Sequence, residues 1–516
     1  MTSASPRLRA LTLYMLSLPV AIVLGYALAT PLDLSNLGIF MFVAFILALP
    51  MLLRLHHPLL LLAWNSTALF YLFPGAPNLW LVMTALSLTI SLARRTMHRV
   101  AETNSVADLN WPLLLLAVTV LATAQMTGGI RLRSMGSEGA IGGKRYIFIL
   151  GAIAGYYAIS LNRIPPARAR LFTNLYFLGG TLVLLGTAPL VLGRGFDFLW
   201  YIFPVDRVAA IGAGSQWSRF YGISVAAQFF VAFLFSYYGL SEIFVTRKPW
   251  RIFLVVAALG IGLFGGYRSV LVWFLLVFAI QFYLEGLFRS RLWIPAVGFV
   301  CLSGALVVGF TDYLPKQVQR CLTFLPVDVD PIVRADADDS TRWRVEMWKA
   351  VLPEVPHALL LGKGYAIDRS DLELSDDKNH PYANYAGNYY AAMIASDFHN
   401  GPLSLLLPLG LWGFVFFTWL AAAGVRLLHK NYIHGNPELK KINTFLLAAF
   451  LTQLVMFYFI FGSFQTQLTE FTGILGLSVA LNGGRREAAS PTTVKEPTIG
   501  PQVSATPRPR SFLWRP

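Results

Sequence analysis

The residues best suited to chemistry lie in and beside one long hydrophilic interval, Thr311–His399. Arg268 precedes this interval, Arg344 lies inside it, and His399 ends it and is followed by Asn400. A planar guanidinium donates paired hydrogen bonds to two phosphate oxygens, and an imidazole, whose unperturbed pKa is about 6.5, accepts a proton near neutral pH. The pattern predicts a phosphate site with a histidine base, formed where Arg268 meets the interval.

Each of these residues also has a structural interpretation. Arg268 stands between two apolar blocks, as does an arginine whose stem follows the membrane while its charge reaches the interface. A lone histidine at an interface is structural more often than catalytic. His380 is a second candidate base, and either Asp397 or Asn400 is placed to orient the His399 ring.

The segment around Arg344 predicts a short helix, Asp339–Leu352, with an aspartate or serine as its N-cap. Arg342 and Glu346 are four residues apart and are expected to pair on an exposed side. Arg344 has no such acidic neighbour and shares a helix face with Trp348, which favours an external anion as its partner. The alternative is that Arg344 stacks on Trp348.

Other polar residues of the interval are less specific. Its acidic run lacks the glycine and glutamate of an EF-hand, so a solvated turn is favoured over a calcium site; the run consists of Asp328, Asp330, Asp336, Asp338 and Asp339. Cys301 and Cys321 form no disulfide framework or metal quartet, and no metal is predicted. Tyrosines and asparagines in 382–390 suit sugars, but aromatic interface belts contain the same tyrosines.

The composition indicates that the segments that position these residues lie in a membrane. The chain of 516 residues is 56% hydrophobic and only 13% charged, and its mean hydropathy is +0.58. These values exclude an ordinary soluble multidomain protein and predict an all-α polytopic membrane protein. The net charge of +15 is typical of basic cytoplasmic loops, so nucleic-acid binding is not predicted.

Apolar blocks predict about 14 transmembrane helices, with 12 as the lower bound. The integral membrane domain is expected to cover residues 1–482, with one long periplasmic loop, 311–400, and a disordered cytoplasmic tail, 483–516. The blocks are Ala10–Ala29, Leu37–Leu53, Pro58–Phe73, Leu79–Ala93, Pro112–Thr127, Tyr146–Leu161, Leu171–Leu192, Phe220–Leu240, Ile252–Phe264, Val270–Leu287, Trp293–Phe310, Leu403–Gly424, Ile442–Phe461 and Phe471–Leu481.

Charge distribution predicts the orientation. If both termini are cytoplasmic, most short basic segments, including 54–57, fall on the cytoplasmic side, as the positive-inside bias requires. The basic loop 131–145 fits less well, because it would face outward. The same orientation places 193–219, Arg268 and the hydrophilic interval outside the cytoplasm.

Five short motifs, in order, carry a resemblance. They are Gly-Tyr-Arg268-Ser, Arg344-x-x-x-Trp348, Gly362-x-Gly364-Tyr, His399-Asn400 and Leu409-Gly410. Together they resemble the O-antigen ligase and O-antigen polymerase superfamily of bacterial membrane proteins, over about Gly265 to Gly413.

The resemblance implies a GT-C-like glycosyltransferase of the bacterial inner membrane. Its donor would be a glycan on undecaprenyl diphosphate, and its acceptor lipid A core, another lipid-linked glycan or a protein, with no metal or other cofactor. By motif position, His399 would be the base and Arg268 and Arg344 would hold the diphosphate. Asn400, Trp348 and Arg342 would support them. Pro408 stands where many relatives have a glutamate, so that carboxylate is missing here.

Two other functions remain open at this point. A polysaccharide polymerase that extends a lipid-linked chain would use the same donor. A flippase or exporter of lipid-linked glycans belongs to a different class, and it should carry its charges midway through its spans. This chain concentrates them in one outer interval, which favours transfer over transport.

Overall fold

The computed structural model describes residues 34–98 (except 72 and 74), 106–128, 143–206, 209–210, 218–245, 248–367 (except 292), 392–393 and 395–484, with a few single positions before residue 34. Within these ranges the regular elements are helices, apart from one isolated bridge between Leu69 and Asn78. The expected first span, the basic positions 131 and 133, His380, the tyrosines of 382–390 and the tail from residue 485 lie mostly or wholly outside the described residues.

The α-helices are α1 (Leu34–Trp64), α2 (Leu79–His98), α3 (Ala107–Met126), α4 (Gly143–Ser160), α5 (Pro166–Thr181), α6 (Leu184–Leu192), α7 (Tyr221–Val245), α8 (Pro249–Leu263), α9 (Arg268–Leu284), α10 (Trp293–Gly309), α11 (Lys316–Leu322), α12 (Pro331–Val351), α13 (Val355–Ala358), α14 (Gly401–His434), α15 (Lys440–Val455) and α16 (Phe464–Asn482). Short 3-10 helices cover Arg194–Tyr201, Leu287–Arg289, Thr311–Tyr313, Leu352–Glu354 and Pro437–Leu439, and a π-helical turn covers Met456–Ile460.

Six helical segments of the described chain are long and apolar enough to cross a membrane: Ile46–Trp64, Ala107–Met126, Pro166–Leu192, Tyr221–Phe244, Gly401–His434 and Pro437–Ile460. Two more apolar helices, α8 and α9, are shorter. The protein is therefore an all-α polytopic membrane protein, as predicted. The count of about 14 spans stays a prediction.

Two of the expected spans are joined in one helix, so the predicted basic turn at 54–57 is wrong. α1 runs without interruption through these residues. His56 and His57 are buried: His56 Nδ1 lies 2.8 Å from Ser87 Oγ, and His57 Nε2 lies 3.1 Å from the Ile159 carbonyl oxygen. Because neighbouring helices satisfy both rings, the polar residues do not have to leave the bundle.

The central packing involves the last three helices. α16 packs against α4 and α14, α15 against α7, α9 and α14, and α14 also against α3. A Cβ atom on Gly473 would lie 2.1 Å from Trp64 Nε1, so a larger residue there would separate α16 from α1. The start of α14 is thus fixed by helices on several sides, and it is here that His399 and Asn400 join the bundle.

The hydrophilic interval contains two helices, α11 and α12. The predicted start of α12 is wrong, because the helix begins at Pro331, eight residues before Asp339. Asp330 caps it by accepting a hydrogen bond from the Ile332 N–H at 2.8 Å. Proline in the first turn after an aspartate is a strong start signal, and it takes precedence over the later acidic residues. The expected acidic turn is therefore mostly helix.

The Gly362-x-Gly364-Tyr motif of the interval binds α14 beside a break in that helix. Gly410 has φ +66°, which interrupts the helix. The carbonyl oxygens of Leu407 and Pro408 accept hydrogen bonds from the Lys363 N–H at 2.8 Å and the Gly364 N–H at 3.0 Å. The glycine motif therefore binds, through its backbone, the two residues that precede Leu409-Gly410.

The two glycines of that motif allow this close approach. Gly362 and Gly364 both have φ +72°, and a Cβ atom on Gly362 would lie 2.3 Å from the Pro408 carbonyl oxygen. The Tyr365 N–H donates to Tyr146 Oη at 2.8 Å, and the Tyr365 ring is buried. The Gly362-x-Gly364-Tyr motif is consequently a structural clamp between the interval, α14 and α4.

Candidate active site

His399 is held in one defined tautomer. Its Nδ1 lies 3.0 Å from the carbonyl oxygen of Asp397 and 3.3 Å from the carboxylate Oδ1 of the same residue. A carbonyl oxygen only accepts hydrogen bonds, so Nδ1 must carry the proton and Nε2 keeps a free lone pair. Within the described residues Nε2 has no hydrogen-bond partner, so the imidazole is arranged as a proton acceptor.

Two aromatic rings enclose the His399 side chain. Trp343, on α12, lies 5.3 Å from the imidazole between ring centroids, with an interplanar angle of 77°. Phe461, between α15 and α16, lies at 4.8 Å and 84°. The backbone of His399 has φ +51°, a left-handed conformation that is uncommon for histidine and that clusters at functional sites. Edge-to-face contacts on both sides fix the ring in this setting.

Asp397 is ionised beside the histidine. Burial acts to raise the pKa of its carboxyl, but the hydrogen bond and the charge of His399, together with Ser463, outweigh burial and hold the pKa below its ordinary value of 3.8. The carboxylate therefore keeps a negative charge at neutral pH next to Nδ1. Of the two residues expected to orient the ring, Asp397 has this role.

Asn400 and Trp348 act on the backbone around His399 instead of on its ring. Asn400 is the N-cap of α14, and its Oδ1 accepts from the Leu403 N–H at 3.1 Å. Trp348 Nε1 donates to the Phe398 carbonyl oxygen at 2.7 Å. Both predicted supporting residues are thus placed to hold the residues before and after the histidine.

An apolar cluster docks α12 onto the start of α14. Its fully buried members share the face between the two helices: Met347, Val351, Phe398 and Leu407. Trp343 and Trp348 pack against the cluster at its edge. Because Phe398 immediately precedes the histidine, burial of this cluster also positions the catalytic candidate.

Arg268 reaches the same helix from the membrane domain. It is the first residue of α9, and its Nη2 donates to the Ala337 carbonyl oxygen and to Thr341 Oγ1, both at 3.1 Å. Thr341 is three residues from Arg344, less than one helical turn. The structure therefore brings Arg268 to the helix that carries Arg344, as the sequence pattern predicted.

Arg344 carries an uncompensated charge. Its Nε is buried and makes no hydrogen bond to any described residue, and its Cζ lies 5.9 Å from the Phe461 ring centroid. Burial, followed by repulsion from Arg268, Arg320 and Arg219, lowers the pKa of Arg344 to about 10, while Asp397 opposes this shift. The guanidinium remains charged at neutral pH and is suited to an anion.

Two further arginines join this group, and sequence analysis missed both. Arg320 is 3% exposed; its Nε lies 2.6 Å from Asp336 Oδ2, and its Nη1 donates to the Gly266 carbonyl oxygen at 2.8 Å. Arg219 lies over the Tyr267 ring at 6.0 Å, and burial, followed by repulsion from Arg320, lowers its pKa. Arg320 is paired and structural, whereas Arg219 has no carboxylate partner in the described part of the chain.

Arg342 lies on the outer side of α12. Its side chain is 63% exposed and pairs with Asp339 Oδ1 at 3.7 Å, so the predicted pairing with Glu346 is wrong. Asp339 already belongs to α12, so its side chain lies on the same face of the helix as that of Arg342, three residues later. Arg342 therefore pairs along the exposed side of α12, and no contact within the described residues connects it to His399, Arg268 or Arg344.

The fold and the site define a polytopic α-helical membrane protein in which His399 and the guanidinium groups of Arg268 and Arg344 are gathered around α12. Residues 218–418 match the family model described as O-antigen ligase, which confirms the predicted resemblance over that segment. The protein is thus of the glycosyltransferase or ligase type, a multi-pass bacterial membrane protein of polysaccharide and lipopolysaccharide biosynthesis. No curated protein sequence matches this chain. The matched segment includes Arg219, Arg268, Arg344 and His399 but ends before Phe461.

Proposed function

We propose that this protein is a GT-C-like glycosyltransferase that transfers a glycan from undecaprenyl diphosphate to an acceptor, lipid A core or a similar molecule, on the periplasmic side of the inner membrane. The observation that carries the proposal is that α12 contains Arg344 and contacts both Arg268 and, through Trp343, His399, while neither arginine has a carboxylate within ion-pair distance among the described residues. A base alone would fit many enzymes, and cations alone would fit simple phosphate binding. Their combination fits glycosyl transfer from a diphosphate.

The transfer step uses both halves of this site. His399 Nε2 takes the proton of an acceptor hydroxyl while the acceptor oxygen bonds to the anomeric carbon of the donor sugar. The bond from that carbon to the diphosphate oxygen breaks, and its electron pair leaves with the diphosphate. Attack opposite the leaving group gives inversion at the anomeric carbon. The Asp397 carboxylate stabilises the imidazolium that forms.

The leaving diphosphate gains negative charge as the bond breaks. Arg219, Arg268 and Arg344 have no carboxylate within ion-pair distance among the described residues, so their charge is available to it. Preorganised cations in a site with little water stabilise such a charge without the cost of reorienting solvent. Arg320 is kept out of this role by Asp336.

The proposal includes the orientation of the chain. Both termini are cytoplasmic, about 14 helices cross the membrane, and residues 311–400 form the periplasmic loop of an integral membrane domain, 1–482. The tail 483–516 is on the cytoplasmic side in this arrangement. The basic residues of the short loops support this arrangement, apart from those of 54–57, which lie inside α1.

Transfer in proteoliposomes tests the function. Purified protein receives a polyprenyl-diphosphate glycan with lipid A core, a second lipid-linked glycan or a protein as acceptor. His399→Ala is expected to lower transfer by about 1,000-fold, within the range for loss of a general base. The matched control, His357→Ala, changes an exposed histidine of the same interval and is expected to retain full activity.

The acceptor that becomes glycosylated distinguishes a ligase from a polymerase. Movement of donor across the vesicle membrane without any new glycosidic bond would instead identify a flippase and disprove the enzyme proposal.

Cysteine labelling tests the orientation separately. Lys349→Cys places a thiol at an exposed position of α12, and it is expected to react with a membrane-impermeant maleimide from the periplasmic side. Native Cys301 is exposed, so it is replaced by serine in the labelled protein. Native Cys321 does not interfere, because burial raises the pKa of its thiol to about 12. Labelling from the cytoplasmic side alone would reverse the proposed topology.

A further inference from the structure

The end of α15 has an unusual backbone. Its last turn, Met456–Ile460, is π-helical, and the N–H of Phe461 donates to the Met456 carbonyl oxygen, five residues earlier, at 2.8 Å. One inserted residue rotates all that follows by about 100° relative to an α-helix. Phe461 itself is extended, with φ −159° and ψ 120°, so the helix stops there. Turns of this type occur frequently at functional sites.

Two glycines bring this turn against the start of α14. A Cβ atom on Gly401 would lie 2.2 Å from the Phe457 carbonyl oxygen, and one on Gly462 would lie 2.6 Å from the Gly401 Cα. The two backbones are therefore in direct contact. The Phe464 N–H also donates to Ser404 Oγ at 3.0 Å, which ties the start of α16 to α14. Gly401 is two residues after His399, so this contact fixes where Phe461 lies relative to the base.

The Phe461 ring touches both functional groups of the site. Its centroid lies 4.8 Å from that of the His399 imidazole and 5.9 Å from Arg344 Cζ. Trp343 contacts the imidazole as well, but it belongs to the same helix as Arg344. Phe461 is therefore the contact that comes from outside the interval. It also lies beyond the residues 218–418 matched by the O-antigen ligase model.

We propose that Phe461 is a positioning residue for glycosyl transfer: it sets the imidazole of His399 relative to the guanidinium of Arg344, and so sets the base relative to the leaving diphosphate. This inference rests on the proposed function. The left-handed backbone of His399 is a sparsely populated conformation that the surrounding contacts must maintain, and Trp343 and Phe461 hold the ring from two sides. The face of the Phe461 ring also attracts the Arg344 guanidinium, whose Nε makes no hydrogen bond within the described part of the chain.

Kinetics of four variants test this role. Phe461→Ala is expected to lower kcat by about 10- to 100-fold, while the donor KM changes by less than about threefold, because Arg344 keeps its charge. Phe461→Leu fills the space without an aromatic face and is expected to lose nearly as much. Phe461→Tyr keeps the face and restores kcat to within about threefold of the original protein. Phe459→Ala, in the same π-helical turn but 83% exposed, is the matched control with unchanged kcat.

A measurement without turnover separates this inference from the proposed function. Diethyl pyrocarbonate modifies histidine, and mass spectrometry of the His399 peptide gives its rate, with exposed His357 as internal reference. Loss of the Phe461 ring is expected to raise the His399 rate at least about threefold, by loosening the local structure. Phe459→Ala and Phe461→Tyr should leave it unchanged.

The outcomes are distinct. If the original protein forms no glycosidic bond, the proposed function fails, and the His399 modification rates still decide the role of Phe461. If Phe461→Ala does not yield folded protein, Phe461→Leu is measured in its place against the same control. Equal kcat and equal modification rates in the Phe461→Leu and Phe459→Ala variants would overturn the inference.

Discussion

Two parts of the hydrophilic interval, one in its middle and one at its end, dock onto the same helix, α14, in opposite ways. In the middle, the N–H groups of Lys363 and Gly364 are paired with α14 carbonyl oxygens through hydrogen bonds of 2.8 and 3.0 Å. At the end, His399 has a left-handed backbone, and nearby Arg344 keeps a buried Nε without a partner among the described residues. Both parts carry motifs of the same family resemblance. The comparison shows that polar groups with hydrogen-bond partners stabilise the fold, whereas polar groups without such partners remain available to the substrate.

The largest expected effect breaks the glycine clamp. Gly362→Ala would place a Cβ atom 2.3 Å from the Pro408 carbonyl oxygen, on a residue with φ +72°. We expect a loss of at least about 3 kcal/mol in the free energy of unfolding, from steric overlap and backbone strain together. Thermal unfolding in detergent measures it. Gly298→Ala is the control, because nothing lies within 4 Å of its added Cβ atom.

The second largest expected effect is a loss of activity without a loss of stability. Arg344→Gln is expected to lower kcat/KM for the donor by about 100-fold, because a charge on the diphosphate loses its partner. The melting temperature should not fall, because the native Nε makes no hydrogen bond to any described residue. A fall in stability equal to that of the glycine variant would show that Arg344 stabilises the fold instead of serving the substrate.

Arg320→Gln is expected to have the opposite effect, a loss of stability without a loss of donor binding. It removes a 2.6 Å ion pair with Asp336 and a hydrogen bond to the Gly266 carbonyl oxygen. A loss of about 2 kcal/mol in the free energy of unfolding is expected, since both partners are left unpaired. The donor KM of the folded fraction should remain near its original value.

A smaller effect is expected at the N-cap of α14. Asn400→Ala removes the acceptor for the Leu403 N–H and should cost about 1 kcal/mol of stability. Asn400→Asp keeps an acceptor and should retain it. Chemical denaturation compares the two variants, and equal losses in both would show that the amide has a role other than capping.

The smallest effect depends on pH. The pKa of Asp397 is lower in the folded protein than its ordinary value of 3.8, so its contribution to stability is present above 3.8 and is lost as the pH falls through the folded value. The Asp397→Asn variant should lack this acid-side loss. The side chain is 37% exposed, so solvent screening limits the difference to less than about 1 kcal/mol. Unfolding curves between about pH 3 and pH 7 measure it.

Sequence analysis predicted those parts of the protein that depend on local pattern. Apolar blocks located both ends of α3, α8, α9 and α10 within about five residues, and the start but not the end of α14, because membrane helices carry their signal in consecutive residues. Arg268, Arg344 and His399 stood out as isolated charged or titratable groups beside such blocks. The structure brings all three to the region of α12.

The rest depends on contacts between distant parts of the chain. Nothing near His57 in the sequence indicates that the Ile159 carbonyl oxygen satisfies its ring, so the continuity of α1 was missed. Arg219 and Phe461 are far from Arg344 in the chain and meet it only after folding. The start of α12 was misjudged for a different reason: several aspartates compete as N-caps, and the one followed by proline, Asp330, was not chosen among them.

The left-handed backbone of His399 determines which substitution suits an inactive variant of the protein. With φ +51°, the position suits asparagine or glycine with less strain than most other residues. His399→Asn therefore removes the imidazole while keeping the chain path between Asp397 and Asn400. Such a variant should retain donor and acceptor side by side without reacting, which makes it the natural choice for imaging both substrates in place.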